Sequence, residues 1–165
     1  MKNTENVFDH VHSYFRDEDL HYSGATPQLK ALNAFAGNWK TNGFVYTTDH
    51  TEKLPIKGYD SYYWVKGGHF MVHEADVMMG NERMQSIEII RYDAFSGKFL
   101  MHYYGTDGGT GKMQAEWDGK FWKFYSDLEK FCGTFSDDGN KISGTWKRLL
   151  HNEWVKWMEV ELERW

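Results

Sequence analysis

The residues with the clearest potential for chemistry in this sequence are two histidines on one predicted strand. His69 and His73 are four residues apart, so their side chains share one face of that strand. A two-residue turn at Gly80-Asn81 would place His73 opposite Glu88 and His69 opposite Tyr92. A carboxylate that orients an imidazole and stabilises its charge makes a general base. We therefore take His73 and Glu88 as candidate catalytic residues, with an ordinary solvent-facing His–Glu pair as the alternative interpretation.

Aromatic residues supply a second kind of candidate site, the wall of a ligand cavity. The chain has 8 Trp, 10 Tyr and 11 Phe, an aromatic share of 18% that can build a sizeable core. The same rings could instead fill the interior completely. The side chains that we expect to line a cavity or orient a ligand are Trp39, Trp64, His69, Met71, Tyr92, His102, Tyr104, Trp122 and Trp146.

The histidines also raise the question of a metal ion or a haem group. Histidines that face one cavity could bind zinc or iron, but here they lie on separate predicted strands, and spacing does not show whether they converge. His151 is a candidate axial haem ligand in a loop-like context, and the sequence has no Cys-x-x-Cys-His attachment motif. We assign no metal ligands and no cofactor, and haem or metal binding stays an alternative.

Charge and cysteine content exclude several classes of function. The net charge is -5 and there is no long basic run, which argues against nucleic-acid binding. Cys132 is the only cysteine, so an intramolecular disulfide and a multi-cysteine zinc site within one chain are excluded. We find neither a signal peptide nor a membrane-spanning segment and expect a cytoplasmic protein. A homodimer remains an open alternative.

The elements that must position these side chains are short strands. From Trp39 onward the apolar residues recur with a period of two, which is typical of β-strands with one buried face. The pattern predicts strands near residues 39–47, 56–65, 69–77, 83–92, 98–104, 111–117, 120–126, 129–135, 141–148 and 153–163.

Turn residues between these strands predict hairpins. Asp118-Gly119 suits a two-residue loop with positive φ, which would place Ala115 opposite Trp122 and Met113 opposite Phe124. That register puts apolar residues on one face of both strands, as a half-buried sheet requires.

A second hairpin and the last strand support the same interpretation. A two-residue loop at Asp138-Gly139 would place Phe131 opposite Trp146. Residues 158–163 alternate between apolar side chains and glutamates. About ten strands joined in this way would leave open edges unless the sheet closes, so we predict an all-β fold with a closed antiparallel barrel.

The chain before the barrel predicts one or two helices. We expect a single domain over residues 1–165, in which residues 1–25 form an N-terminal helix and loop extension and residues 26–165 form a helix and the barrel. Thr26-Pro27 is a good helix start, with Thr26 as the N-cap. This helix is expected to lie across one end of the barrel.

Several motifs together resemble a known family. A helix followed by Gly37-x-Trp39 at the first strand, the segment Trp64–Phe70, Arg91-Tyr-Asp93, Phe135–Gly139 and Gly144-x-Trp146 are similar to those of a bacterial family of small lipocalin-like, calycin-type barrels of unknown function. The resemblance implies a lipocalin-like barrel.

What the resemblance implies about function is broad. Calycin relatives bind lipids, pigments, haem or other hydrophobic molecules, and a few lipocalin-like barrels are enzymes. We therefore expect a small hydrophobic or aromatic ligand inside the barrel. The alternatives are a cofactor-independent enzyme that uses His73 and Glu88, and a haem- or metal-binding barrel, so whether the protein is an enzyme stays open.

Overall fold

The computed structural model describes residues 26–49 and 51–165, which form one short helix and a closed antiparallel β-barrel. The predicted helix and loop over residues 1–25 lie outside the described residues. Within the described part of the chain, no helix has both the length and the hydrophobicity needed to cross a membrane.

The ten predicted strands are all present, with ends displaced by no more than three residues. The helix, α1, spans Pro27–Asn33. The strands are β1 (Gly37–Tyr46), β2 (Lys53–Trp64), β3 (Met71–Met79), β4 (Glu82–Asp93), β5 (Lys98–Gly105), β6 (Thr110–Trp117), β7 (Phe121–Tyr125), β8 (Glu129–Phe135), β9 (Lys141–Leu150) and β10 (Glu153–Arg164).

Each strand pairs with its neighbours along the chain, and β1 pairs with β10 to close the barrel. The closing ladder runs from Trp39 opposite Arg164 to Val45 opposite Met158. Closure gives each of these ten strands two partners, so the described barrel leaves no strand edge exposed for pairing with another chain.

Alternation along the strands separates the lumen from the outer face. On β10, Met158 and Leu162 are buried, whereas Glu161 and Glu163 are exposed, as the sequence pattern predicts. The predicted register of the β8–β9 hairpin is also confirmed.

The register predicted for the β6–β7 hairpin is wrong by two residues. Trp117, not Ala115, lies opposite Trp122, and the Asp118 amide donates to the carbonyl of Phe121. The loop therefore consists of Gly119 and Lys120, and the Asp118 carboxylate accepts hydrogen bonds from the two backbone amides that follow Gly119. A shift of two residues keeps every side chain on its predicted face.

The helix closes one end of the barrel. The Thr26 hydroxyl caps α1 by accepting from the Leu29 amide at 3.4 Å. Phe35, just after α1, is buried in the barrel end, where its ring packs edge-on against Trp122 with centroids 5.0 Å apart. The Trp39 indole nitrogen donates to the Phe35 carbonyl at 2.7 Å and fixes the chain as it enters β1. This end is solid, with only a void of about 10 Å³ between the side chains.

Candidate functional site

The half of the barrel away from α1 encloses a cavity of about 380 Å³. This volume falls in the range of pockets that bind small molecules. The wall is mainly aromatic and methionine-rich, and its largest side chains include Phe124, Phe131, Trp146, Trp157, Met84 and Met158.

Two paired glycines help to keep this lumen open. Gly133 on β8 lies opposite Gly144 on β9, and the ring of Phe131 occupies the space above both. A Cβ atom would lie 2.3 Å from the ring at Gly133 and 2.2 Å from it at Gly144. The ring therefore lies along the wall instead of across the lumen, which leaves space for a ligand.

Three adjacent strands contribute a cluster of charged side chains to the wall of the cavity. His73 on β3 uses both ring nitrogens: Nε2 lies 2.6 Å from Asp60 Oδ1 on β2, and Nδ1 lies 2.7 Å from Glu88 Oε2 on β4. His73 and Glu88 are direct cross-strand neighbours, as the predicted Gly80-Asn81 hairpin requires. The imidazole thus bridges two carboxylates.

The three side chains of this cluster are largely shielded from water. Their exposed fractions are 13% for His73, 9% for Asp60 and 15% for Glu88. The second carboxylate oxygen of Asp60 accepts a hydrogen bond from the Thr41 hydroxyl on β1. Partial burial makes each of these charge-assisted hydrogen bonds stronger than it would be in water.

The two carboxylates hold the imidazole in its charged form. Burial alone would lower the pKa of His73, but the hydrogen bonds and charges of Asp60 and Glu88 outweigh it and raise this pKa from 6.5 to about 10. At neutral pH both ring nitrogens of His73 therefore carry protons. In this state the imidazole has no free lone pair with which to accept a proton or bind an iron atom.

A tyrosine completes the surroundings of the imidazolium. The ring of Tyr62 on β2 stacks on that of His73, with centroids 4.1 Å apart. Burial raises the pKa of the Tyr62 phenol, and the negative charges of Asp60 and Glu88 raise it further. The phenol therefore stays neutral over the ordinary pH range.

Other polar groups on the wall are free to contact a ligand. Among the described residues, none donates a hydrogen bond to the second oxygen of Glu88, Oε1. The side chains of Ser86, Tyr103 and Glu129 also line the cavity. Burial raises the pKa of Glu129, and the charge of Arg148 opposes this shift. The cavity thus combines an apolar wall with a few hydrogen-bonding groups.

The structure brings together only some of the residues predicted for the site. His73, Glu88 and Trp146 line the cavity. The others that point inward, namely Trp39, Trp64, Met71, Tyr92 and Trp122, pack in the solid end near α1. There the indole nitrogen of Trp64 donates to Asn33 Oδ1 at 2.8 Å.

The remaining predicted histidines lie outside the lumen. β3 begins at Met71, so the expected pairing of His69 with Tyr92 is wrong, and His69 is exposed in the turn between β2 and β3. His102 lies on the outer face of β5, together with Tyr104. His151 occupies the β9–β10 turn with φ of 49° and is exposed there.

Asp60 is the functional candidate that the sequence analysis missed. It lies two residues before Tyr62 on the inner face of β2, a position that the pattern of that strand shows. Its approach to His73 depends on the register between β2 and β3, which are joined by an irregular turn over residues 65–70. Because this turn is not a two-residue hairpin, that register cannot be derived from the turn residues.

No metal centre stands out in the described residues. No group of three or more His, Cys, Asp or Glu side chains among them is arranged to hold a metal ion. In the Asp60–His73–Glu88 cluster, the two acids bind the imidazole from both sides.

Comparison with known proteins identifies the fold and no more. No family model and no curated protein matches the chain. Among solved structures, the barrel is similar to the crystal structure of Rv2717c from M. tuberculosis, with a TM-score of 0.62 and 13% sequence identity. The match covers 85% of this chain and 98% of that one. The barrel is thus consistent with a lipocalin-like fold, while membership of the lipocalin-like family stays a prediction.

Proposed function

We propose that this protein binds a small, largely apolar or aromatic molecule inside the barrel. The observation that carries the proposal is the cavity of about 380 Å³, whose wall is rich in Trp, Phe and Met side chains. Burial of an apolar ligand against such a wall is favourable because it removes apolar surface from water.

The polar groups of the cavity support a role in orienting the ligand. Small-molecule sites combine an apolar wall with a few placed hydrogen-bonding groups, and here these are Glu88, Ser86 and Tyr103. The Asp60–His73 pair fixes the position of Glu88, since His73, itself held by Asp60, donates to one of the two carboxylate oxygens of Glu88. The carboxylate is therefore held in place before a ligand arrives.

The geometry favours binding over acid–base catalysis by His73. A general base at neutral pH must have a lone pair, whereas His73 keeps both protons until the pH approaches about 10. The imidazolium instead serves to neutralise and position two acids.

The proposal is tested by calorimetric titration with neutral aromatic compounds, beginning with 2-naphthylmethanol. Binding is expected in the natural protein and strongly reduced in Ala75→Phe, because Ala75 lines the cavity and a ring there would fill it. Val72→Phe is the matched control, since Val72 points outward from the same strand.

Two results would overturn the proposal. An affinity that is unchanged in Ala75→Phe would place the site elsewhere. Failure of aromatic compounds of this size to bind the natural protein would show that the cavity is not a ligand site.

A further inference from the structure

We propose that the ligand is an aromatic amine, bound as a cation whose ammonium group donates to Glu88 Oε1 while its apolar body packs against the aromatic wall. The inference rests on the proposed function and names the chemical class of its ligand. It is drawn from the charges, the hydrogen-bonding groups and the rings of the cavity.

The side chains that line the cavity carry a net negative charge. Its wall includes three acids, Asp60, Glu88 and Glu129, and one basic side chain, His73. No lysine or arginine of the described chain is part of the wall. With the acids ionised, the imidazolium neutralises one of them, so a cationic ligand would meet a favourable potential and an anionic one would be repelled.

The hydrogen-bonding groups of the cavity wall also favour a cationic ligand. Both N–H groups of His73 are taken by carboxylates, and the Thr41 hydroxyl donates to Asp60. The side-chain donors that this wall leaves for an anionic ligand are all neutral, namely the hydroxyls of Tyr62, Ser86 and Tyr103 and the indole N–H groups of Trp146 and Trp157.

The open acceptor is Glu88 Oε1. The glutamate side chain is only 15% exposed, yet this oxygen has no donor among the described residues. An ammonium group would form a charge-assisted hydrogen bond with it, which is a stronger bond than a neutral hydroxyl makes. It would also relieve the cost of a partly buried carboxylate oxygen without a donor.

The second acid of the wall without a direct ion pair lies toward the end of the barrel away from α1. Glu129 is at the start of β8, on the end of the barrel away from α1, and its side chain lines the cavity. Its cross-strand neighbour Arg148 donates instead to the Thr48 hydroxyl at 3.1 Å and lies over the Trp157 ring. Glu129 is thus without a direct ion pair in the described chain, and its carboxylate adds negative charge to the wall, which the nearby charge of Arg148 offsets in part.

The aromatic wall suits the same ligand. Phe131 and Trp146 pack together with centroids 5.2 Å apart and both face the lumen. Aromatic faces attract cations and also pack against other rings. An aromatic amine would use both interactions, whereas a purely aliphatic ion would use only the first.

The test compares three compounds that share one aromatic body: 2-naphthylmethylamine, which is cationic at pH 7, neutral 2-naphthylmethanol and anionic 2-naphthoate. Their dissociation constants are measured by calorimetry on the natural protein. We expect the amine to bind roughly tenfold or more tightly than the alcohol, as a charge-assisted hydrogen bond implies, and the carboxylate to bind most weakly.

Substitution of the acceptor then locates the effect. Glu88→Gln should remove most of the preference for the amine, so that the dissociation constants of 2-naphthylmethylamine and 2-naphthylmethanol converge. Glu161→Gln removes the same charge from the outer face of β10 and should change neither value. If Glu88→Gln does not fold, the comparison of the three compounds on the natural protein still tests whether the cavity prefers a cationic ligand.

The outcomes separate the two proposals. Equal affinities for the amine and the alcohol, or tighter binding of the carboxylate, would overturn the amine inference and leave the binding function standing. A preference for the amine that survives in Glu88→Gln would also overturn it. Failure of all three compounds to bind would overturn both.

Discussion

Tyr62 and His73 lie face to face across β2 and β3, with their rings parallel to within 1° and their centroids 4.1 Å apart. The imidazolium is therefore held on one face by an aromatic ring and at two edges by carboxylates. Such contacts in several directions leave the His73 ring little freedom and give Glu88 a defined position in the wall.

The stacked ring of Tyr62 should contribute measurably to stability. We expect Tyr62→Leu to lower the free energy of unfolding by about 1–3 kcal/mol, because it removes the stack on the cation and leaves a space in the barrel. Tyr62→Phe keeps the ring and should cost less than about 1 kcal/mol. Urea unfolding of both variants is the measurement, and equal losses would show that the hydroxyl matters more than the stack.

Removal of the bridging cation should be costly. His73→Gln leaves Asp60 and Glu88 as partly buried acids without the charge between them, and we expect a loss of about 3 kcal/mol at pH 7. The control is His102→Gln, since His102 lies on the outer face of the barrel. The two variants are compared by urea unfolding, and a loss as small as that of the control would mean that the cluster does not stabilise the fold.

Stability should also depend on pH above neutrality. The pKa of His73 is raised in the folded protein to about 10 from an ordinary value of 6.5. A raised pKa means that the protonated form stabilises the fold, fully below about pH 6.5, and that this contribution is lost as the pH rises toward about 10.

This dependence can be measured in two ways. The free energy of unfolding should fall between pH 7 and pH 10 more steeply in the natural protein than in His73→Gln. The ring nitrogen shifts of His73, followed by NMR, should stay those of an imidazolium at pH 8. A His73 that is neutral at pH 7 would refute the bridged-cation arrangement.

The two ends of the barrel should respond differently to loss of a tryptophan. Trp122 is 2% exposed in the solid end, so Trp122→Leu should cost about 3 kcal/mol or more. Trp157 lines the cavity and is only partly buried, so Trp157→Leu should cost less and should weaken the binding of 2-naphthylmethanol. Thermal unfolding and calorimetry on both variants test this, and the reverse order of stability losses would contradict the division into a packed end and a ligand end.

The sequence allowed most of the sheet to be predicted, because local signals determine it. Period-two patterns locate the strands, and the Asp138-Gly139 and Gly80-Asn81 turns fix two hairpin registers, including the one that pairs His73 with Glu88. The Asp118-Gly119 register failed because the aspartate caps the turn and the loop begins at the glycine.

The contents of the lumen were harder to predict. Inward-facing tryptophans such as Trp122 and Trp146 look alike in the sequence, yet one packs against Phe35 in the solid end and the other lines the cavity. The difference depends on the side chain of Phe35, which reaches the lumen from beyond the strands. Which layer of the barrel a side chain occupies follows from the closed sheet as a whole and not from local periodicity.

The closing pair of strands has a consequence for the folding of the chain. Nine of the ten ladders join consecutive strands, while the β1–β10 ladder joins residues separated by more than a hundred positions. The hairpins close short loops at a small entropic cost and can form early. The ladder between β1 and β10 carries most of the loop-closure cost. A circular permutant opened in the β8–β9 turn, with Trp165 linked to Met1, would keep all ten ladders, bring β10 and β1 close together in the sequence and transfer the large sequence separation to the β8–β9 ladder.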